Sequence, residues 1–271
     1  GLENALINLD CNRKGVNSVS YIMGQSLEST ISNGIVIGDV SMDELLGIVE
    51  QHVANGCKRI KLKVSPRDGY ERTRLVHDAY PALALAVDAN QSYTYDQLDM
   101  VAAYNDLNLL CIEEPFSMTN LTTYKAWKES LPNWPITTSI CLDESILSYD
   151  DLSYVIEYRL IDVLNVKVGR LGGLIQTRAA ILRCREAGIP YWIGSMVESG
   201  ISKILHVQLA ALGDTYMAGD LSDSSRYFEH DLINPAILFT DGAMQVPNGA
   251  GLGVDVLDNR IEEYTVEKRT L

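Results

Sequence analysis

Six charged residues stand in or at the ends of apolar runs in this 271-residue chain. Lys61 and Lys63 lie in R-I-K-L-K-V, Asp88 ends L-A-L-A-V-D, Glu113 ends L-L-C-I-E, Asp143 ends T-S-I-C-L-D, and Lys167 lies in V-L-N-V-K-V. From Asp88 onward they follow at intervals of 25, 30 and 24 residues. One strand with its following helix takes about 30 residues, so the intervals put the three acids on neighbouring strands. Acids held close together cannot all stay ionised without a cation. Three carboxylates make an all-oxygen site of the kind that suits Mg²⁺, with Mn²⁺ as the alternative ion, and leave positions open for water and substrate. Lys61 and Lys63 are two residues apart, so their side chains share one face of a strand. An isolated acid at a strand end is ordinarily a helix cap, and an isolated lysine there is ordinarily solvated. A whole set in phase with the repeat argues for a site instead.

The elements that would position this set read as follows. Apolar runs at 34–38, 59–64, 83–88, 109–113, 138–143, 163–168 and 191–196 are strands, and a short eighth run covers Tyr216–Gly219. Between them lie helix-period segments with recognisable ends. Ser41 with Glu44 and Thr94 with Gln97 have capping-box spacing, Ser148 and Ser199 open helices, and Gly56 and Gly188 close them. The strands are nearly continuously apolar, as in a parallel sheet covered on both faces. Eight such units within the usual size of about 250 residues match a (β/α) barrel. A doubly wound sheet fits less well, since no glycine-rich turn follows the first strand. In a barrel the chemistry sits at the carboxyl ends of the strands, where these residues fall. Lys61 and Lys63 on the second strand would then face Lys167 on the sixth. Three units are expected: 1–30, with a helix over Glu3–Asn12; a barrel over 31–220; and a segment over 221–271, rich in Gly and Pro, that turns back toward the first.

The balance of 22 basic and 36 acidic residues gives a net charge of −14, which argues against nucleic acid and anionic membrane surfaces as partners. A small molecule is the expected partner, and a homo-oligomer stays open. The five cysteines are scattered and odd in number, so reduced thiols in a cytoplasmic protein are expected. Residue 1 is Gly rather than Met, so the chain reads as a fragment or a processed product. The four histidines have no zinc spacing, and no G-x-S-x-G elbow is present.

The motifs resemble the enolase superfamily, and within it the muconate-lactonizing subgroup. K-x-K (Lys61, Lys63), D-A-N (88–90), N-V-K-V-G-R-L-G-G (165–173), G-S-M-V-E-S-G-I (194–201) and D-L-S-D-S-S-R-Y-F (220–228) carry the likeness. They are most similar to the branch holding o-succinylbenzoate synthases and N-acylamino acid racemases. The resemblance implies a (β/α)7β-type TIM barrel, with most of an N-terminal α+β capping domain absent from this chain. It implies a metal held by Asp88, Glu113 and Asp143, Lys63 as general base, Lys61 as its electrostatic neighbour, and Lys167 opposite. Lys63 must be neutral to act, which the cations beside it favour. Asn90, Glu144, Ser195 and Met196 are expected around the pocket. Val168 replaces the proline that often follows the sixth-strand lysine. I-E-E-P replaces I-E-Q-P, which would add the charge of Glu114 near the metal.

The implied chemistry is abstraction of a proton α to a carboxylate, through a metal-stabilised enediolate. Elimination of water would make the chain a lyase, an o-succinylbenzoate synthase of menaquinone biosynthesis. Reprotonation on the other face would make it an N-acylamino acid racemase, or a bifunctional enzyme. A dipeptide epimerase or cycloisomerase comes next. The alternative outside catalysis is a metal-binding barrel inactive without its cap.

Overall fold

The computed structural model describes residues 1–268; the last three residues of the expected 221–271 segment lie outside the described residues. Seven parallel strands form one sheet in chain order: β1 (Gly34–Ile37), β2 (Arg59–Lys63), β3 (Ala84–Asp88), β4 (Ile112–Glu113), β5 (Ile140–Leu142), β6 (Val163–Val166) and β7 (Tyr191–Ile193). Helices connect them, among them Met42–Ala54, Gly69–Ala79, Leu121–Ser130, Tyr149–Glu157 and Leu174–Ala187. The expected eighth strand at Tyr216–Gly219 is not a regular strand. It closes the barrel with isolated bonds instead: Tyr216 N donates to Tyr191 O at 2.7 Å, and Gly34 N donates to Gly219 O at 3.1 Å. Gly219 lies too close to β7 for an ordinary ladder, since a Cβ there would stand 2.2 Å from Ile193 O.

The period of two along the strands sorts their side chains into two separate apolar clusters. Leu85, Val87, Ile112, Ile140, Leu142, Leu164, Val166, Tyr191 and Ile193 belong to the large cluster that also takes in the helices. Ala86, Cys111, Cys141, Val163, Trp192 and Met217 form the small cluster inside the barrel. Two residues further along the same strands stand Asp88, Glu113, Asp143, Asn165 and Gly194. The alternation that fills the barrel with small residues around one indole therefore delivers the polar set directly above them.

Several helix ends differ from expectation in detail. Ser41 does not cap a backbone N–H; its hydroxyl donates to Glu44 Oε2 at 2.6 Å. Thr94 and Gln97 do form the reciprocal box, and Ser148 accepts from Asp151 N. The first helix runs Leu2–Lys14, longer than Glu3–Asn12, with Leu2, Leu6 and Leu9 exposed and Cys11 buried. It bonds the chain's later parts: Asn4 and Glu3 accept from the backbone N–H groups of Leu174 and Ile175, and Asn8 accepts from Leu252 N. Thr30–Ser32 pairs antiparallel with Ala243–Gln245. No helix among the described residues is long and apolar enough to cross a membrane. All five cysteines are buried and free.

Trp192 is fully buried, and its indole N–H donates to Cys141 Sγ at 3.4 Å. Replacing Trp192 with Ala should cost about 3–5 kcal/mol, because the barrel wall cannot collapse into the space left. Urea unfolding of the variant against the parent protein measures this.

Candidate active site

The site stands on the Trp192 indole. Lys61 Nζ lies 4.9 Å above the ring and the Arg59 guanidinium carbon lies 5.2 Å from it. Lys61 is almost wholly buried, with Nζ 2.5 Å from Asp220 Oδ2, 2.7 Å from Glu113 Oε2 and 3.3 Å from Asp88 Oδ2. Burial alone would discharge the amine. The three carboxylates outweigh it and hold Lys61 well above the usual lysine range. Lys61 is thus a fixed positive charge, unsuited to taking a proton near neutral pH.

Lys63, next along the same face of β2, is 36% exposed and looks into the cavity. Its Nζ is 2.6 Å from Asp88 Oδ2 and 2.5 Å from Asn90 Oδ1. Lys167 follows β6, across the barrel, and its Nζ lies 2.5 Å from Asp143 Oδ2. Gly194 makes room for this side chain: a Cβ there would stand 2.9 Å from Lys167 Cε and 2.2 Å from Asn165 Oδ1. Lys61, Lys63, Asp88, Asn90, Asp143, Lys167, Ser195 and Met196 all line one cavity of about 290 Å³. Ser195 Oγ donates to Asp220 O at 2.7 Å, and Met196 is 47% exposed at the rim.

The acids are not equivalent. Asp88 pairs in register with Glu113, whereas Glu113 pairs with Cys141, two residues before Asp143. This stagger is what closing a tilted sheet requires if side chains on successive strands are to reach one level. Among the described residues, the compact acid group is Glu113, Asp143 and Glu144, whose oxygens lie within 4.8 Å of one another. Asp88 is drawn instead toward Lys63 and Lys61, and these two ammonium groups hold its carboxyl below the usual range although burial opposes them. Glu144 is linked to Asn90, which donates to its Oε1 at 2.6 Å, while its buried Oε2 has no partner. Oxygen donors only, one of them unpartnered, with cationic side chains already drawn to the others, fit a hard divalent cation.

Three further residues complete the site. Asp220 bridges Arg59 and Lys61, each at 2.5 Å; burial opposes its ionisation, but both cations hold its carboxyl far below the usual range. It follows the eighth segment as Asp88 and Glu113 end theirs, so the strand-end rule could have found it. Arg170, one helical turn past Lys167, contacts the second oxygen of Asp143. Asn165 Nδ2 donates to Glu113 Oε1 at 2.8 Å.

Contrary to what the family resemblance implied, Glu114 does not add its charge to the acid group. It points to the opposite side from Glu113 and accepts from the backbone N–H groups of Asp143 and Ser145, both at 2.7 Å. Burial pushes its carboxyl up to about 7 in spite of these donors. Its role is to fix the segment that carries Asp143 and Glu144.

Replacing Asp220 with Asn leaves Arg59 and Lys61 short of a counter-charge and should destabilise the protein by about 3–5 kcal/mol at neutral pH. A carboxyl with a depressed folded pKa stabilises above its unfolded value and loses that contribution as pH falls toward the folded one. The gap between parent and variant, followed by denaturant titration, should therefore narrow below about pH 4.

The family model described as "Enolase C-terminal domain-like" matches residues 44–260. The o-succinylbenzoate synthase of Geobacillus kaustophilus is 34% identical over 265 residues, covering 97% of this chain and 69% of that protein. The N-succinylamino acid racemase of Thermus thermophilus is 35% identical, covering 90% of this chain and 64% of that protein. Among solved structures, an enolase-superfamily protein from Enterococcus faecalis superposes with a TM-score of 0.89 at 30% identity, over 97% of this chain and 70% of the other. A dipeptide epimerase from Methylococcus capsulatus, complexed with a Mg ion, superposes with a TM-score of 0.79 at 26% identity, over 94% and 73%. With its curled parallel sheet and its acids and lysines gathered at the strand ends, the chain belongs to the enolase superfamily of enzymes.

Proposed function

We propose that the protein is a lyase that forms o-succinylbenzoate, abstracting the proton α to a carboxylate and eliminating water. The observation that carries this reading is one cavity holding a lysine on each side, Lys63 and Lys167, over a bed of acids. The relatives named o-succinylbenzoate synthase, at 30–34% identity, support the reaction class. Asp88, Glu113 and Asp143, with Glu144 beside them, would hold Mg²⁺. A divalent ion held there would supply positive charge for the substrate carboxylate and for the charge that develops as the proton leaves.

The chain's own residues do the rest. Lys61, kept charged by Asp220, Glu113 and Asp88, provides positive charge under the reacting carbon without giving up its proton. Lys63, less buried and next to the cavity, takes the α-proton. The proton it takes is the one the departing hydroxyl needs to leave as water. Asn90 accepts from Lys63 and donates to Glu144, so one amide ties the amine to the acid group. Lys167 stands opposite, where its side chain stabilises negative charge.

A second reading, racemisation of an N-succinylamino acid, is favoured by the same pair of amines on opposite faces and by the 35% identical racemase relative. There Lys167 would return the proton that Lys63 removes, or the reverse.

Chelation of divalent ions should abolish dehydration, and added Mg²⁺ should restore it. Replacing Lys63 with Ala should lower kcat by about 10²–10⁴-fold, the usual weight of a positioned general base. Turnover can be followed by absorbance of the aromatic product, and racemisation by deuterium uptake at the α-carbon in heavy water. Undiminished turnover with chelator, or in the Lys63 variant, overturns the reading.

A further inference from the structure

Of the cations lining the cavity, Lys61, Lys63 and Lys167 are each paired with a carboxylate that itself belongs to the site. Arg226 lines it too, as it does the adjoining groove beside His52, and among the described residues no ion pair commits it to an acid. Its guanidinium carbon lies 5.9 Å from the centroid of the Tyr227 ring. The turn that carries it, Ser224–Arg226, is built on buried groups. Ser224 Oγ bonds to Asp231, Ser224 N donates to Ile237 O at 2.9 Å, and Ile237 N donates back to Ser224 Oγ at 3.2 Å. Tyr227 is held in turn over the buried Lys203, whose Nζ lies 4.7 Å from the ring centroid. A cationic side chain with no acid committed to it therefore stands at the edge of the cavity on a fixed turn.

The compounds named for the two groups of relatives share a succinyl substituent, which ends in a carboxylate remote from the reacting carbon. One substrate carboxylate is accounted for at the acid bed. The second needs a cation away from the reacting carbon, beside which Lys61, Lys63 and Lys167 stand.

We propose that Arg226, set beside Tyr227 on the Ser224–Arg226 turn, receives the terminal carboxylate of a succinyl substituent and so selects substrates with two carboxylates over those with neutral tails. This rests on the reaction class proposed above and adds its specificity residue. Arg226 is exposed, so the pair is screened by solvent, and the selection is about two- to fivefold rather than thousandfold.

The test is calorimetric titration of the Mg²⁺-loaded protein with o-succinylbenzoate and with 2-butyrylbenzoate, in which a methyl group replaces the terminal carboxylate. The parent protein should prefer o-succinylbenzoate by about two- to fivefold. Arg226→Gln should remove the preference while leaving the affinity for 2-butyrylbenzoate unchanged, and Arg226→Lys should keep part of it. A preference that survives Arg226→Gln, no preference in the parent, or equal weakening of both ligands overturns the proposal. The dehydration assay separates the two ideas. Turnover with an Arg226-independent preference sinks the subsite alone, and an Arg226-dependent preference without turnover sinks the reaction alone. If neither ligand binds the parent protein, both fall.

Discussion

Charge neutrality in a buried space governs this structure. The upper end of the barrel gathers Asp88, Glu113, Asp143 and Asp220 within reach of Lys61, Lys63, Lys167, Arg59 and Arg170. Each acid taken from water would be costly alone, and so would each base. Together they form a lattice in which every buried charge has an opposite neighbour. Lys61 is the centre of that lattice, since three carboxylates meet on its one ammonium group. That ammonium group also lies 4.9 Å from the centroid of the Trp192 ring, so the apolar plug and the charged layer meet at one residue.

The lattice separates the two lysines of the K-x-K pair into different chemical roles. Both leave the same strand on the same face, but Lys61 sits a layer lower. Depth gives it three acids and no solvent, and so a permanent charge. Lys63 has one acid, one amide and access to the cavity. The difference in function between residues of identical chemistry is a difference of a few ångströms in height, set by the strand rise of about 3.3 Å per residue.

The supporting residues work through geometry. Glu114 binds the backbone on either side of Glu144 and so sets where Asp143 and Glu144 start. Gly194 stays without a side chain so that Asn165 and Lys167 can lie flat against β7. Gly34 does the same for Arg59, whose guanidinium would meet a Cβ at 2.7 Å. These positions hold no reacting group, and each decides where one stands.

The strand ends and their charged residues were legible in the chain because a covered parallel strand leaves no ordinary reason for a lysine or an acid in an apolar run. Asp88, Glu113, Asp143, Lys61, Lys63 and Lys167 stood out on that ground, and the repeat length placed them on neighbouring staves of one barrel. The irregular eighth segment was less legible, since Tyr216–Gly219 has a strand's composition and its departure comes from close approach to β7. Asp220 carried the same strand-end signal, but its meaning depends on Arg59 and Lys61, far away in the sequence. The inward alternation, the different heights of the two lysines and the turning of Glu114 toward the backbone were decided by tertiary structure. Local sequence determines which residues share a strand face; only closing the tilted barrel determines which faces meet and at what level.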